Sequence, residues 1–475
     1  MAVEKRLKNI QELLKKHNQS HLLAFWEQLS PTQRQDLLAQ IEKLDFSKID
    51  GWVANFVKNP TPAAISEDFA PACSYSPAPT DEVETHKYNN ARELANRLIS
   101  AGKVAAFVVA GGQGTRLGFD GPKGDFPISP VKNKTLFRIF AESIAAASNR
   151  YKTSCPWYIM TSPLNYAQTK EIFRSNDYYG LDKKNIFIFQ QGTLPNFGFD
   201  GRILMANKAE ISCSPDGHGG SLKALYKSGA LTDMKKRGIE FISYFQVDNP
   251  LVNIFDPLFI GLHALDKAEM SSKAVAKTKP TERVGNFCLV ADRVTVIEYS
   301  DMPDELARKR GPDGSLVFNL GSIAIHIINR SFVERLNTTG FALPLHRAVK
   351  KIEHIDHQGQ PVEPTEPNGI KLESFIFDAL PLASKSIILQ TLRSEEFAPV
   401  KDLTGTSSPE AAKKMIIERA GGWLESAGCH IPRKPDGSAD CCLEIAPSFA
   451  LQKDDIKAKL SQIPKIKPND KLYIA

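Results

Sequence analysis

The chain has 475 residues, and at roughly 150 residues per domain that length points to about three domains and excludes a small single binding module. Hydrophobic residues make up 42% and charged residues 24%, which excludes a largely disordered, collagen-like or membrane-embedded chain. Basic residues number 60 and acidic ones 54, a formal charge of +6; this excess forms no dense Lys/Arg block, so no nucleic-acid partner is expected.

Seven cysteines (Cys73, Cys155, Cys213, Cys288, Cys429, Cys441 and Cys442) are odd in number and sparsely spread. No C-x-x-C pair occurs among them, which argues for reduced thiols and against a zinc site or a disulfide framework. The N-terminus MAVEKRLKNIQELLKK lacks the apolar stretch of a signal peptide, and the longest buried-looking run, Val104 to Ala110, is too short to span a bilayer. A soluble cytoplasmic protein is expected.

From Val3 to about Leu44 apolar residues recur at helical spacing (Val3, Leu7, Ile10, Leu14; Leu37, Leu38, Ile41, Leu44), with Ser30-Pro31 as an N-cap and first-turn proline. Five prolines between Asn59 and Thr80 predict an extended crossing segment. From about Val104, apolar runs (VAAFVV, PWYIM, IFIFQ, EFISYFQVD, KAVAKT) alternate with amphipathic stretches at Leu136–Ala147, Leu222–Met234 and Pro257–Leu265. That alternation predicts an α/β sheet with crossover connections, in which ligands bind at the carboxyl ends of strands. A helix at Pro409–Glu425 and short apolar runs, CCLEIAP and KLYIA, complete the tail. The division expected is a helical region over 1–100, a catalytic α/β domain over 101–395 and a small C-terminal domain over 396–475.

VVAGGQGTRLGFDGPKG, from Val108 to Gly124, follows the first strand directly. Gly111, Gly112 and Gly114 let backbone amides approach an anion closely, and Arg116 and Lys123 add two cations in the same loop, so the segment reads as a phosphate cradle. The Gly-Lys-Ser/Thr of a Walker loop is missing. A dinucleotide fold would place an acidic residue about twenty residues on, where this chain has the basic ISPVKNKTLF. Asp248 closes the run EFISYFQVD, where a carboxylate on the sheet's carboxyl edge is a plausible Mg2+ ligand.

AGGQGTRLG followed by PKG resembles the nucleotidyl loop of the eukaryotic-type UDP-sugar pyrophosphorylases. Further motifs recur in that family's order: WYIMTS, FQQGTLP, PDGHGG, QVDNPLV, TERVG, VIEYSD, FNLGSIAIH, PNGIKLESFIFD and EEFAPVKD. They cover roughly residues 100 to 402 and are most similar to the family's N-acetylglucosamine-using branch. The resemblance implies a Rossmann-like nucleotidyltransferase fold, a mixed sheet with helices on both faces, flanked by the helical N-terminal region and the small C-terminal domain. It implies a Mg2+-dependent uridylyltransferase that joins UTP to a sugar 1-phosphate and releases pyrophosphate.

The same resemblance assigns roles. Arg116, Lys123 and Lys401 would serve catalysis, the first two on the leaving β- and γ-phosphates and Lys401 on the sugar phosphate. Val109, Ala110, Gly111, Gly112, Gln191, Gly217, His218, Asp248 and Lys371 would line the nucleotide, with Gln191 reading the uracil edge. Gly285, Glu298, Tyr299, Asn319 and Ser322 would meet the sugar. Because the nucleophile is already a phosphate oxyanion, no Ser-His-Asp or Cys-His set is required.

Three positions depart from the N-acetylglucosamine pattern. His218 stands where that branch has asparagine and glucose-using relatives have histidine, Ser322 replaces another asparagine near the sugar, and Ile325 replaces a polar residue. Serine cannot reproduce an amide's paired donor and acceptor. N-Acetylglucosamine 1-phosphate is the expected sugar, with glucose or galactose 1-phosphate, or broad specificity, as the alternative. A nicotinamide-dependent oxidoreductase and a catalytically silent UDP-sugar-binding homologue are more remote readings.

Overall fold

The computed structural model describes residues 2–60, 69–341 and 343–475. Residues 61–68 of the proline-rich segment, Pro62 included, lie outside them. Among the described residues no helix is long and apolar enough to cross a membrane.

The chain divides into two compact units, and the division is not the linear one read from composition. One unit joins Met1–Ser66, Gly192–Gly220 and Leu343–Phe375; the other takes Glu67–Gln191, Ser221–Ala342 and Ile376–Ala475. The reason lies in burial. The helices Ala2–Lys16 and Pro31–Glu42 place Ile10, Leu14, Leu37, Leu38 and Ile41 in one apolar cluster with Ile203, Met205, Ile370 and Leu372, which come from distant sequence. Ser30 and Gln33 form a reciprocal capping box at the second of these helices, with Pro31 at its first position. The strand Gly369–Glu373 of this unit pairs antiparallel with His346–Lys350 and with Phe197–Gly198.

In the larger unit the strands Phe241–Gln246, Val104–Val109, Trp157–Thr161 and Ile186–Gln190 run parallel and adjacent, in that order. Leu320–Asn329 continues the sheet antiparallel to Phe241–Gln246, and carries Met270–Ala276 and Asn286–Val290 beyond it. Ser386–Gln390 pairs parallel with Met270–Ala276, while Arg293–Ile297 and Phe69–Pro71 flank Asn286–Val290.

Strand alternation sends Val104, Ala106 and Val108 into a cluster with Tyr88, Ala95, Phe140, Ile144 and Leu262, from the helices Glu82–Ser100, Leu136–Tyr151 and Pro257–Leu265. The opposite face holds Phe107, packed on Phe189 and Tyr244. There the Tyr158 hydroxyl donates to Asp233 Oδ2 at 2.6 Å, on the helix Ala230–Lys236. Helices therefore cover both faces.

Asp256 caps the third of the helices named, its Oδ1 accepting from Leu258 N at 2.9 Å with Pro257 at the first position. The single helix expected over Leu222–Met234 is instead two, Gly220–Lys227 and Ala230–Lys236, because Gly229 between them adopts φ 84°. The tail forms the helix Pro409–Ser426 and a parallel pair, Cys442–Ile445 with Lys471–Ile474, around an apolar cluster that includes Trp423, Leu443, Phe449 and Ile474. Ile325, noted above as a departure, is a core residue at 2% exposure, so its apolar character is explained by packing.

Candidate active site

Register aligns Gln246, Val109, Met160 and Phe189 in one row across the four parallel strands. Immediately beyond that row the chain emerges as Ala110-Gly111, Ser162, Gln191 and Asp248, so residues far apart in sequence share one carboxyl edge. Gln191 N donates to Thr161 O at 2.8 Å and Ala110 N to Met160 O at 2.7 Å, which extends the ladder into the loops. Gly111 admits no side chain without displacement: a Cβ there would stand 2.4 Å from Gln191 Oε1 and 3.2 Å from Ser162 N.

The glycine loop folds back on itself. Lys123 N donates to Gly112 O at 3.0 Å and Gly114 N to Gly121 O at 2.9 Å, so Lys123 returns beside the start of the loop. Asn165 fixes it from beneath. This buried amide donates Nδ2–H to Ala110 O at 3.1 Å and Gly112 O at 3.3 Å, while Oδ1 accepts from Ser162 N at 2.9 Å. Sequence reading passed over Asn165; its only signal was an Asn three residues past a strand-ending Thr-Ser.

Lys123 is half-buried, and its Nζ donates to Val400 O at 3.3 Å. Burial holds its pKa below the ordinary lysine value; Asp248 opposes that shift, and the like charges Lys401 and Arg116 add to it. Asp248 is 9% exposed, and its Oδ2 lies 4.0 Å from the half-exposed Lys401 Nζ. Arg116 is exposed on the short turn Thr115–Leu117. Three cations and a carboxylate thus act on one another at the sheet's carboxyl edge.

A second group in this unit gathers around Gly285. Ser322 N donates to Gly285 O at 2.8 Å, and Glu298 Oε1 lies 3.3 Å from where a Gly285 Cβ would stand. The strand carrying Ser322 changes register against Met270–Ala276 near Ala324, which adopts φ 54°, and such bulges re-aim the side chains beside them. Asn319 contributes its carbonyl to Lys277 N at 2.8 Å, and Tyr299 is exposed. Lys277 itself escaped sequence reading. It is buried, donates to Asn286 Oδ1 at 2.5 Å, and burial lowers its pKa.

Gly217, His218 and Lys371 belong to the other unit. Gly217 adopts φ 83°, and a Cβ there would stand 2.3 Å from Ser374 O, so the PDGHGG turn lies directly on the end of the strand that carries Lys371. Ser374 N donates to Asp216 O at 2.9 Å and Gly219 N to Ser374 O at 2.8 Å. The His218 ring stacks on Phe375 at a centroid distance of 5.3 Å, and Phe375 stacks in turn on His346 at 4.3 Å. Neither Phe375, which lies within PNGIKLESFIFD, nor His346 was assigned a role from the motifs, because neither ring stack is local in sequence.

If the nucleotide is the UTP that the motif resemblance implies, the Gly111→Ala variant is expected to fold, since the nearest obstacle is the movable end of Gln191, but to raise the KM for it about tenfold as that amide is pushed aside. Steady-state kinetics at saturating sugar phosphate, with a melting curve beside them, measure both.

The family model described as UTP–glucose-1-phosphate uridylyltransferase matches residues 71–475 of the chain. A protein of Saccharomyces cerevisiae named UDP-N-acetylglucosamine pyrophosphorylase is 36% identical, across 86% of this chain and 89% of its own length. A human protein named UDP-N-acetylhexosamine pyrophosphorylase-like protein 1 is 34% identical, across 95% of this chain and 94% of its own. Among solved structures, the uridine diphosphate N-acetylglucosamine pyrophosphorylase of Trypanosoma brucei superposes with a TM-score of 0.83 at 27% identity, covering 99% of this chain and 98% of that one.

Proposed function

Since the chain belongs to the UTP–glucose-1-phosphate uridylyltransferase family, we propose that it joins UTP to N-acetylglucosamine 1-phosphate, giving UDP-N-acetylglucosamine and pyrophosphate. The reading is carried by one observation: Gly111, Lys123, Gln191 and Asp248 share the carboxyl edge of four parallel strands, with Lys401 beside Asp248. Names borne by relatives at 34–36% identity support the choice of sugar.

The reaction asks for positioning and charge neutralisation. An oxygen of the sugar phosphate attacks the α-phosphorus of UTP, the new P–O bond forms, and the bond to the β-phosphate oxygen breaks in line, releasing pyrophosphate. Lys123 and Arg116 would take up charge on the β- and γ-phosphates as it develops. Lys401 would hold the attacking phosphate, and Lys371 a further phosphate contact. Val109, Ala110 and Gly112 would present backbone to the nucleotide beside Gln191, and the resemblance assigns Gly217 and His218 to the nucleotide as well. Gly285, Glu298, Tyr299, Asn319 and Ser322 would receive the sugar.

Asp248 suits Mg2+, offering a hard and nearly buried carboxylate. Among the described residues no group of three metal-ligating side chains occurs, and Mg2+ commonly rests on one or two carboxylates plus substrate phosphates. When bound, such a cation would neutralise charge on the triphosphate. A cytoplasmic setting belongs to the same reading, consistent with seven free cysteine thiols.

Purified protein with UTP, Mg2+ and a panel of sugar 1-phosphates is expected to release pyrophosphate fastest with the N-acetylated sugar. No release with any sugar would sink the reading. Ser322→Asn and His218→Asn are each expected to move the ratio of N-acetylated to plain sugar turnover by a factor of about ten, the worth of one directed hydrogen bond. An unchanged ratio in both variants would remove these positions from sugar selection.

A further inference from the structure

Asn249 follows Asp248 directly, is 4% exposed, and none of the roles above employs it. Its carboxamide spans two segments almost 150 residues apart. Nδ2–H donates to Glu396 O at 2.7 Å, while Oδ1 accepts from Ala398 N at 3.1 Å and from Leu251 N at 3.3 Å. Two residues on, Val400 N donates to Asp248 O at 2.8 Å. The side-chain amide therefore adds the rungs that a backbone pair would otherwise supply, and 396–400 is held along the 248–249 turn as a short ladder. The next residue is Lys401, and the carbonyl of Val400 is the one that receives Lys123 Nζ.

The far end of the ladder is anchored in the core. The buried Glu396 carboxylate accepts from Lys273 Nζ at 2.6 Å and from Asn253 N at 3.2 Å, and Lys273 also reaches Asp256 Oδ2 at 2.6 Å. Arg419 Nη1 donates to Leu251 O at 2.8 Å and to Glu395 O at 3.1 Å, so each strand of the ladder is gripped from behind. Lys401, by contrast, has a half-exposed side chain with a 4.0 Å approach to Asp248, so its backbone sets its place. Only an amide offers a donor and an acceptor on one short planar group. Aspartate would lose the donor facing Glu396 O, and alanine would lose all three bonds.

We propose that Asn249 is a positioning residue for uridylyl transfer: its carboxamide clips residues 396–400 to the Asp248 turn and so sets Lys401 against Asp248 and the Val400 carbonyl against Lys123. The inference rests on the catalytic reading of Lys401 given above. A misplacement of about 1 Å in such a group lowers turnover by roughly a hundredfold.

The test is a double-mutant cycle on the full chain, with UTP, Mg2+ and N-acetylglucosamine 1-phosphate, at a temperature where melting curves show every variant folded. Asn249→Ala is expected to lower kcat roughly a hundredfold while leaving the KM for UTP within about threefold. Lys401→Ala is expected to cost much less in the Asn249→Ala background than in the wild-type chain, because the lysine is already out of place. Asn249→Asp, which keeps both accepted bonds, should fall between wild type and alanine, and serves for the cycle if the alanine variant does not fold. Full multiplication of the two losses overturns the clip and leaves Lys401 catalytic, as does wild-type kcat in Asn249→Ala. Failure of both Asn249 variants to fold makes the residue structural and also overturns it. If Lys401→Ala alone turns over like wild type, the catalytic reading of Lys401 falls and the clip falls with it.

Discussion

Lys123→Ala is expected to lower kcat/KM at least about a thousandfold, the scale on which a single preorganised charge acts on a developing anion. Thermal stability should hold. The ammonium is half-buried, and its surroundings disfavour the charge: burial dominates, and Lys401 and Arg116 outweigh part of the help from Asp248. Among the described residues, removing a cation that its own site disfavours forfeits one hydrogen bond to Val400 O and no close ion pair. A large fall in melting temperature alongside the loss of activity would count against a catalytic role.

The same depressed pKa fixes two pH dependences of opposite sign. Between the lowered pKa of the folded chain and the ordinary lysine value of 10.5, the unfolded chain binds more protons at this residue, so its contribution to stability rises with pH. Activity goes the other way. As pH climbs through the lowered pKa the ammonium is lost, and kcat/KM for UTP should fall on an alkaline limb set below 10.5. Lys123→Arg, which stays charged, should retain part of the activity and move that limb upward. A profile of unchanged shape in the arginine variant would assign the limb to another group.

Asp248→Asn is expected to reduce turnover by about a thousandfold and to raise the Mg2+ concentration needed for half-maximal rate, since an amide is a far poorer ligand for a hard cation. The backbone contact made by this residue, Asp248 O with Val400 N, survives the change. Its side-chain partner Lys401 lies 4.0 Å away and is half-exposed, so loss of that pair contributes little to stability. A Mg2+ titration separates the roles: an unchanged half-saturating concentration with lowered kcat would leave Asp248 as an electrostatic partner of Lys123 and Lys401 instead of a metal ligand.

What could be read in the chain was what neighbours in sequence decide. The strands Val104–Val109 and Ile186–Gln190 and the helix Pro257–Leu265 coincide with the predicted segments, because apolar runs, caps and first-turn prolines act over a few residues. The strands Leu320–Asn329 and Ser386–Gln390 were not predicted as such, since partners from remote sequence stabilise them; Asn286–Val290 and Arg293–Ile297, which pair with each other as a local hairpin, were not predicted either. The glycine loop, Asp248 and Lys401 were legible for a related reason: glycine spacing, a strand-ending carboxylate and a motif lysine each leave a local pattern.

Tertiary structure alone decided the rest. The half-burial of Lys123 has no local signal, because the segment that receives its ammonium arrives 277 residues later. No role could be assigned to Asn165, Asn249 or Lys277 from local sequence, although Asn249 lies within QVDNPLV; each is a common polar residue whose purpose comes from hydrogen-bonding groups that other elements bring to it. The helical N-terminus was readable as a helical region that packs on something larger, but its partners, Ile203 and Ile370 among them, come from remote sequence. By itself the sequence determined the local elements and the chemical types available at the strand ends. Which of those groups are desolvated, and which amides hold them in place, depends on contacts between remote segments, and burial and hydrogen-bond partnership exist only once those segments meet.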